Sequence, residues 1–219
     1  MSRLHGLVLA ISLLAIALPS SVFAGAVEDL AAGNAALEAS DAQNAIALFT
    51  RAITAETLAP EQVAAALTGR GHAHLVVRDF RGALDDFNGV IELQRSNPVS
   101  YYNRGILFAT AKVWDRADAD FQSATHLNPN FADAWYQRGR GWVARGRSDW
   151  AIVMFDTALE KDSNHVPSRV GKAMALRASG MVAEALATVN SALGADPAYA
   201  NAYVVRGHTL LEQGDMDGA

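Results

Sequence analysis

One spacing constrains this chain more than any other: the pair Arg-Gly, or a close relative, returns every 34 residues. It stands at Arg70-Gly71, Arg104-Gly105, Arg138-Gly139 and Arg206-Gly207, and Lys172-Ala173 fills the remaining step. Ala83, Ala117, Ala151, Ala185 and Ala219 keep the same interval. So do Phe87, Phe121, Phe155 and Val189. An earlier copy, Gly33, Ala45, Phe49 and Ala52, leads by 38 residues, which predicts four extra residues in a loop around Thr57 to Glu61. A fixed period over almost all of residues 26–219 means stacked supersecondary units, each too small to bury its own apolar face alone.

Inside one unit, small and aromatic residues fall at helical intervals, broken once in the middle. Gly146, Gly180 and Gly214 sit at that break, where a helix end favours a left-handed residue. Asn97-Pro98 reads as an N-cap followed by proline at the first helical position. Asn128-Pro129 and Asp196-Pro197 close the preceding helix instead. Each unit is therefore an antiparallel helix pair. Five of six units place glycine in mid-helix, at Gly33, Gly71, Gly105, Gly139 and Gly207. That costs about 1 kcal/mol relative to alanine, and close approach of the two helices explains why the chain accepts it.

At these residues the sequence resembles the tetratricopeptide repeat family. The third unit carries the full pattern: Tyr101, Gly105, Phe108, Ala117, Phe121, Ala124 and Pro129. The fourth has Trp135, Gly139, Trp142, Ala151, Phe155 and Ala158, with Ser163 in place of proline. The fifth departs most, at Arg169, Ala173 and Val189, and the first has Asp29 and Ala36 where large residues belong. The resemblance implies an all-α, right-handed solenoid with a concave groove lined by the first helix of each pair. Units are expected at about 26–59, 64–97, 98–131, 132–165 and 166–199, with a truncated sixth at 200–219.

Residues 1–24 read as a secretory signal peptide. Arg3 and His5 precede an apolar run from Gly6 to Leu18, and Val22-Phe23-Ala24 offers a small-residue cleavage site. The run is shorter than the roughly 20 residues of a membrane span, so no stable anchor is expected after cleavage. The expected location is the periplasm or the exterior. With no cysteine, the exported fold holds no disulfide and no lipid-bearing thiol. A net charge of −5 argues against nucleic acid as a partner.

The residues that carry chemistry are sparse. His72 and His74 are two apart on one helix and do not share a face, so they do not form a zinc pair. Asp115 to Asp120 lacks the glycine and terminal glutamate of a calcium loop and reads as a solvated helix face. Arg138 to Arg147 holds four arginines but lacks the Lys-Ser/Thr ending of a phosphate loop. No catalytic residue, metal site or cofactor is expected, and the chain does not read as an enzyme.

The resemblance places His72, Tyr102, Ile106, Asp133, Tyr136, Arg140, Met174 and Arg177 on the groove. Two tyrosines, apolar patches and arginines suit a peptide or partner helix. Some family members hold a C-terminal carboxylate in a basic clamp; Asn103 fits that pattern, but His72, Val99 and Asp133 do not. The expected function is a non-catalytic interaction scaffold or adaptor of the cell envelope. The alternative is the repeat portion of a larger enzyme or assembly factor. Tyr203, Val204, Val205, Leu210 and Leu211 make the last helix apolar, so self-association through the C-terminal repeat is a further expectation.

Overall fold

The structure is a computed structural model that describes residues 20–214, with side chains from Gly25 onward. The expected signal peptide lies outside the described residues, apart from the backbone of its last five, which is helical. Residues 215–219, where the sixth unit's second helix would open, also lie outside them. Among the described residues there are eleven helices and no strand.

The helices pair as the period predicts. The first pair is α1 (Ser20–Glu38) and α2 (Ala42–Thr54); the second is α3 (Pro60–Val76) and α4 (Phe80–Leu93). Then come α5 (Pro98–Thr110) with α6 (Trp114–Leu127), and α7 (Ala132–Ala144) with α8 (Ser148–Lys161). The fifth pair is α9 (Val166–Ala178) and α10 (Val182–Ala195), followed by α11 (Ala200–Gln213). Each helix packs on its partner and on the neighbouring unit, and first helices also touch one another (α1 with α3, α7 with α9, α9 with α11). This is the all-α repeat solenoid expected from the sequence.

The four inserted residues do something other than lengthen a loop. The linker after α2 is only residues 55–59, and Glu61 is already helical. Helix α3 has 17 residues, against 13 in α5, α7 and α9. The insertion is thus an added turn at the start of α3. Pro60 at its first position lacks the N–H that would be left unpaired there, and the Gln62 side chain accepts from the Ala59 N–H at 3.0 Å.

The core is built from one repeated contact. Phe49, Phe87, Phe121 and Phe155 are all buried, each on a second helix. A Cβ placed on Gly33 or Gly71 would sit 2.7 Å from the ring of Phe49 or Phe87, and on Gly105 or Gly139 2.6 Å from Phe121 or Phe155. Gly69 and Gly171, from the following unit, meet Phe49 and Phe155 as closely, at 2.5 and 2.7 Å. The mid-helix glycines therefore seat the aromatic rings.

The fifth unit now makes sense. Val189 replaces the phenylalanine, Ala173 replaces the glycine, and Val205 stands where Gly171 stood one unit earlier. All three are buried in one cluster. The ring volume lost at Val189 is returned by the methyl groups facing it, which is the volume-conserving exchange that cores tolerate. The other off-pattern positions also find partners. Arg169 donates to the Ser163 carbonyl at 2.5 Å, six residues back. Trp135 and Tyr203 make the same bond to the carbonyls of Pro129 and Pro197. Asp29 binds Arg51.

The turn inside each pair is a Schellman motif. Its six-to-one bonds run from Asp41, Asp79, Val113, Arg147 and Met181 to the carbonyls of Ala36, His74, Phe108, Trp142 and Leu176, at 2.8–3.0 Å. Gly146 and Gly180 supply the left-handed residue with φ of 72° and 78°. In the first three units Ser40, Arg78 and Lys112 hold it instead, with φ of 60–62°. The geometry is kept even where the residue carries the steric cost.

The coupling at the seat is directly measurable. In the otherwise native chain Gly139→Ala should destabilise, because the clash with Phe155 outweighs the alanine helix preference of about 1 kcal/mol. In a Phe155→Val background the same change should stabilise by roughly 0.5–1 kcal/mol. Denaturant unfolding of the four proteins measures both; equal effects in the two backgrounds would contradict the seat.

Candidate binding pocket

The arginine before the seats at Gly71, Gly105 and Gly139 fixes the first helices in place. Arg70 forks onto Asp86 at 2.6–3.2 Å and donates to Thr50 Oγ1 of the preceding unit at 3.0 Å. Arg104 repeats this on Asp120, at 2.7 and 2.9 Å, and on Asn88 at 2.8 Å. Asp86 and Asp120 are buried. The carboxylate beside Arg104 pushes its guanidinium above its ordinary range. Arg138 and Lys172 turn back to Asp118 and Asp156 of the preceding unit, at 2.9 and 2.6 Å. Each cation bridges helices with satisfied geometry.

The same contacts correct the reading of Asp115 to Asp120 as a solvated face. Asp120 is 5% exposed and held by Arg104, and Asp118 is held by Arg138. Only Asp115 is fully exposed, and it pairs with Arg145 at 3.0 Å. Among the described residues no group of three or more acids, histidines or cysteines could hold a metal.

The expected groove residues lie on α3, α5, α7 and α9. Tyr136, Arg140 and Met174 come together in one pocket of about 350 Å³. Val143, Pro167 and Val170 give it apolar walls. Tyr199 and Asn201, at the start of α11, close one side, and Trp114 reaches it from α6. The other expected residues lie outside this pocket. His72 packs edge-to-face on Phe87, with centroids 5.4 Å apart. Tyr102 leans on Phe131 and Phe121, at 4.9 and 5.7 Å, and Ile106 is half-buried. Arg177 is bound by Glu212 of α11. Asp133 is exposed and meets His165 Nε2 at 3.1 Å.

Tyr136 is the centre of the arrangement. Its ring touches Phe155 at 5.8 Å and the edge of His165 at 5.5 Å. The guanidinium of Arg140 lies over its ring, 5.9 Å from the centroid. Burial pushes the Tyr136 and Tyr102 hydroxyls above their ordinary pKa, so both are neutral donors at neutral pH.

The residues that sequence reasoning missed also follow the period. Phe131, His165 and Tyr199 are 34 residues apart and stand at the N-caps of α7, α9 and α11. Phe131 and His165 pack back on Tyr102 and Tyr136, on the preceding first helices α5 and α7. Reading that series would have placed Tyr199 on the pocket.

Asp133, His165 and Ser168 line up as acid, imidazole and hydroxyl, but the chemistry is structural. Ser168 is 0% exposed, so its oxygen reaches no substrate. His165 Nδ1 lies 2.7 Å from Ser168 Oγ and accepts from the Ser168 N–H at 3.2 Å. That double role makes Nδ1 the unprotonated nitrogen and a helix cap for α9.

His72 carries a pH signature. Burial pushes its imidazole below the ordinary value of 6.5. The folded chain therefore takes up this proton at lower pH than the unfolded chain does. Stability from this group is complete above about pH 6.5 and falls as pH drops through the window below it. Melting temperature should fall more between about pH 7.5 and pH 5.5 in the native chain than in His72→Leu. Parallel losses would contradict the half-buried neutral histidine.

Comparison with known proteins agrees with the geometry. A family model described as tetratricopeptide repeat matches residues 30–98 and 170–219, more than half of the chain. The heat shock protein sti1 homolog of Schizosaccharomyces pombe is 29% identical over 99 residues, 45% of this chain and 17% of the relative. The chain thus spans about a sixth of that relative's length. A tetratricopeptide repeat protein from Parabacteroides merdae superposes with a TM-score of 0.73 at 21% identity, covering 88% of this chain and 75% of its own. YrrB, described as having an unusual peptide-binding site, superposes with a TM-score of 0.60 at 21% identity, over 83% and 91% of the two chains. The chain belongs to the tetratricopeptide repeat family, whose members mediate protein–protein interaction.

Proposed function

We propose that this protein is a non-catalytic scaffold or adaptor of the cell envelope that binds a peptide or partner helix against its first helices. The observation that carries the reading is the pocket at Tyr136, Arg140 and Met174, where three first helices converge on an open apolar surface with polar edges. Neutral tyrosines beside aliphatic walls are the chemistry of interaction hot spots. The peptide site described for YrrB, on a similar fold, supports the same reading. The polar clusters favour a scaffold over an enzyme: the arginine–aspartate pairs join helices, and the His165 ring, in contact with the buried Ser168 hydroxyl, caps one. The leader-like residues 1–24 support export to the periplasm or the exterior.

The full chain and a Tyr102→Ala/Tyr136→Ala variant, used as baits on envelope extract, should capture different sets of proteins. A partner seen with the native chain should bind the variant about ten-fold more weakly or worse. Identical captured sets and affinities would show that this face is not the working one. Export has its own test. Expressed in a bacterial host with two membranes, the exported form should begin at Gly25 on N-terminal sequencing. A product that keeps Met1 would contradict export by cleavage.

A further inference from the structure

We infer that the pocket selects a peptide carrying a bulky apolar side chain beside a carboxylate, with the carboxylate meeting Arg140; this rests on the groove reading above. The other cations nearby are already engaged. Arg138, Arg145 and Arg147 are held by Asp118, Asp115 and Asp149. Lys172 is held by Asp156, and Arg177 by Glu212; Arg169 has no acid among the described residues, but its guanidinium is taken up by the Ser163 and Ser191 carbonyls. Arg140 differs. Among the described residues its partners are the neutral Gln137 Oε1, at 3.0 Å, and the face of Tyr136. It is exposed and lines the pocket. A planar, permanently charged fork without an acid is suited to receive one.

The apolar half of the preference comes from the walls. Val143, Val170 and Met174 face a space of about 350 Å³. That is at the small end of ligand pockets, enough for one or two side chains rather than a large cofactor. Met174 adapts its shape to irregular apolar groups. The orientation comes from Asp133. It lies seven residues before Arg140 on α7, two turns or about 10 Å away, and its exposed carboxylate repels an acid placed at that end. The ligand's acid therefore points toward the C-terminal end of α7. Net charge does not favour an acidic ligand, since the chain is at −5; the preference is local to Arg140.

The probe is a displayed random peptide library, selected on the full native chain, on Arg140→Glu and on Tyr136→Ala, with circular dichroism melts to show that each is folded. Arg140→Gln replaces Arg140→Glu if the latter does not fold. Peptides enriched on the native chain should combine a large apolar residue with Asp or Glu. Arg140→Glu should bind them about ten-fold more weakly and enrich peptides with Lys or Arg instead; Arg140→Gln should weaken them without that reversal. Enrichment of the same peptides whatever the charge at position 140 would overturn the inference. If those peptides still fail on Tyr136→Ala, the groove reading stands and only the charge preference falls. If they ignore both substitutions, both readings fall.

Discussion

The structure depends on a phenylalanine ring resting where a side chain is missing. In four units the ring lies so close to the facing first helix that even a methyl group would collide with it. That contact fixes the distance between the two helices of a pair. Where glycine also follows from the next unit, at Gly69 and Gly171, it fixes the distance between pairs as well. A domain with no disulfide and no strand among its described residues obtains its regularity from this repeated close approach.

The polar residues sit on top of that spacing. Once the helices stand at a constant separation, the arginines before Gly71, Gly105 and Gly139 reach an aspartate on a second helix, and Arg70 and Arg104 span three helices. The Schellman turns hold each pair's corner in the same geometry, with glycine or without it. With second helices carrying the core, the outward positions of the first helices are released from packing duty. Arg140 and Met174 stand exposed there, beside a half-buried Tyr136 that packs on Phe155.

Much of this was legible in the sequence because a period is a global signal. The helix pairs, the breaks at Gly146 and Gly180, the cap at Asn97 and the closures at Asn128 and Asp196 all emerged from it. Three things did not. The exchange of Phe for Val at position 189 looked like decay of the pattern, because its compensation at Val205 belongs to the next unit and is visible only in contact. The acids of α6 looked solvated, because their arginines come from α5 and α7. The insertion near Thr57 looked like loop, because a proline and the Gln62 side chain let it become a helical turn. On the candidate site, Tyr136, Arg140 and Met174 converge, whereas Arg177 is occupied by Glu212 across a distance of 35 residues that no local reading spans.

The central claim is that the open side of the first helices is the working surface and the second helices are the frame. Hydrogen exchange of the full chain, with and without a bound peptide or protein partner, tests it most directly. The account predicts added protection in α7, α9 and the start of α11, with α6, α8 and α10 unchanged. Added protection confined to α6, α8 and α10 would contradict it.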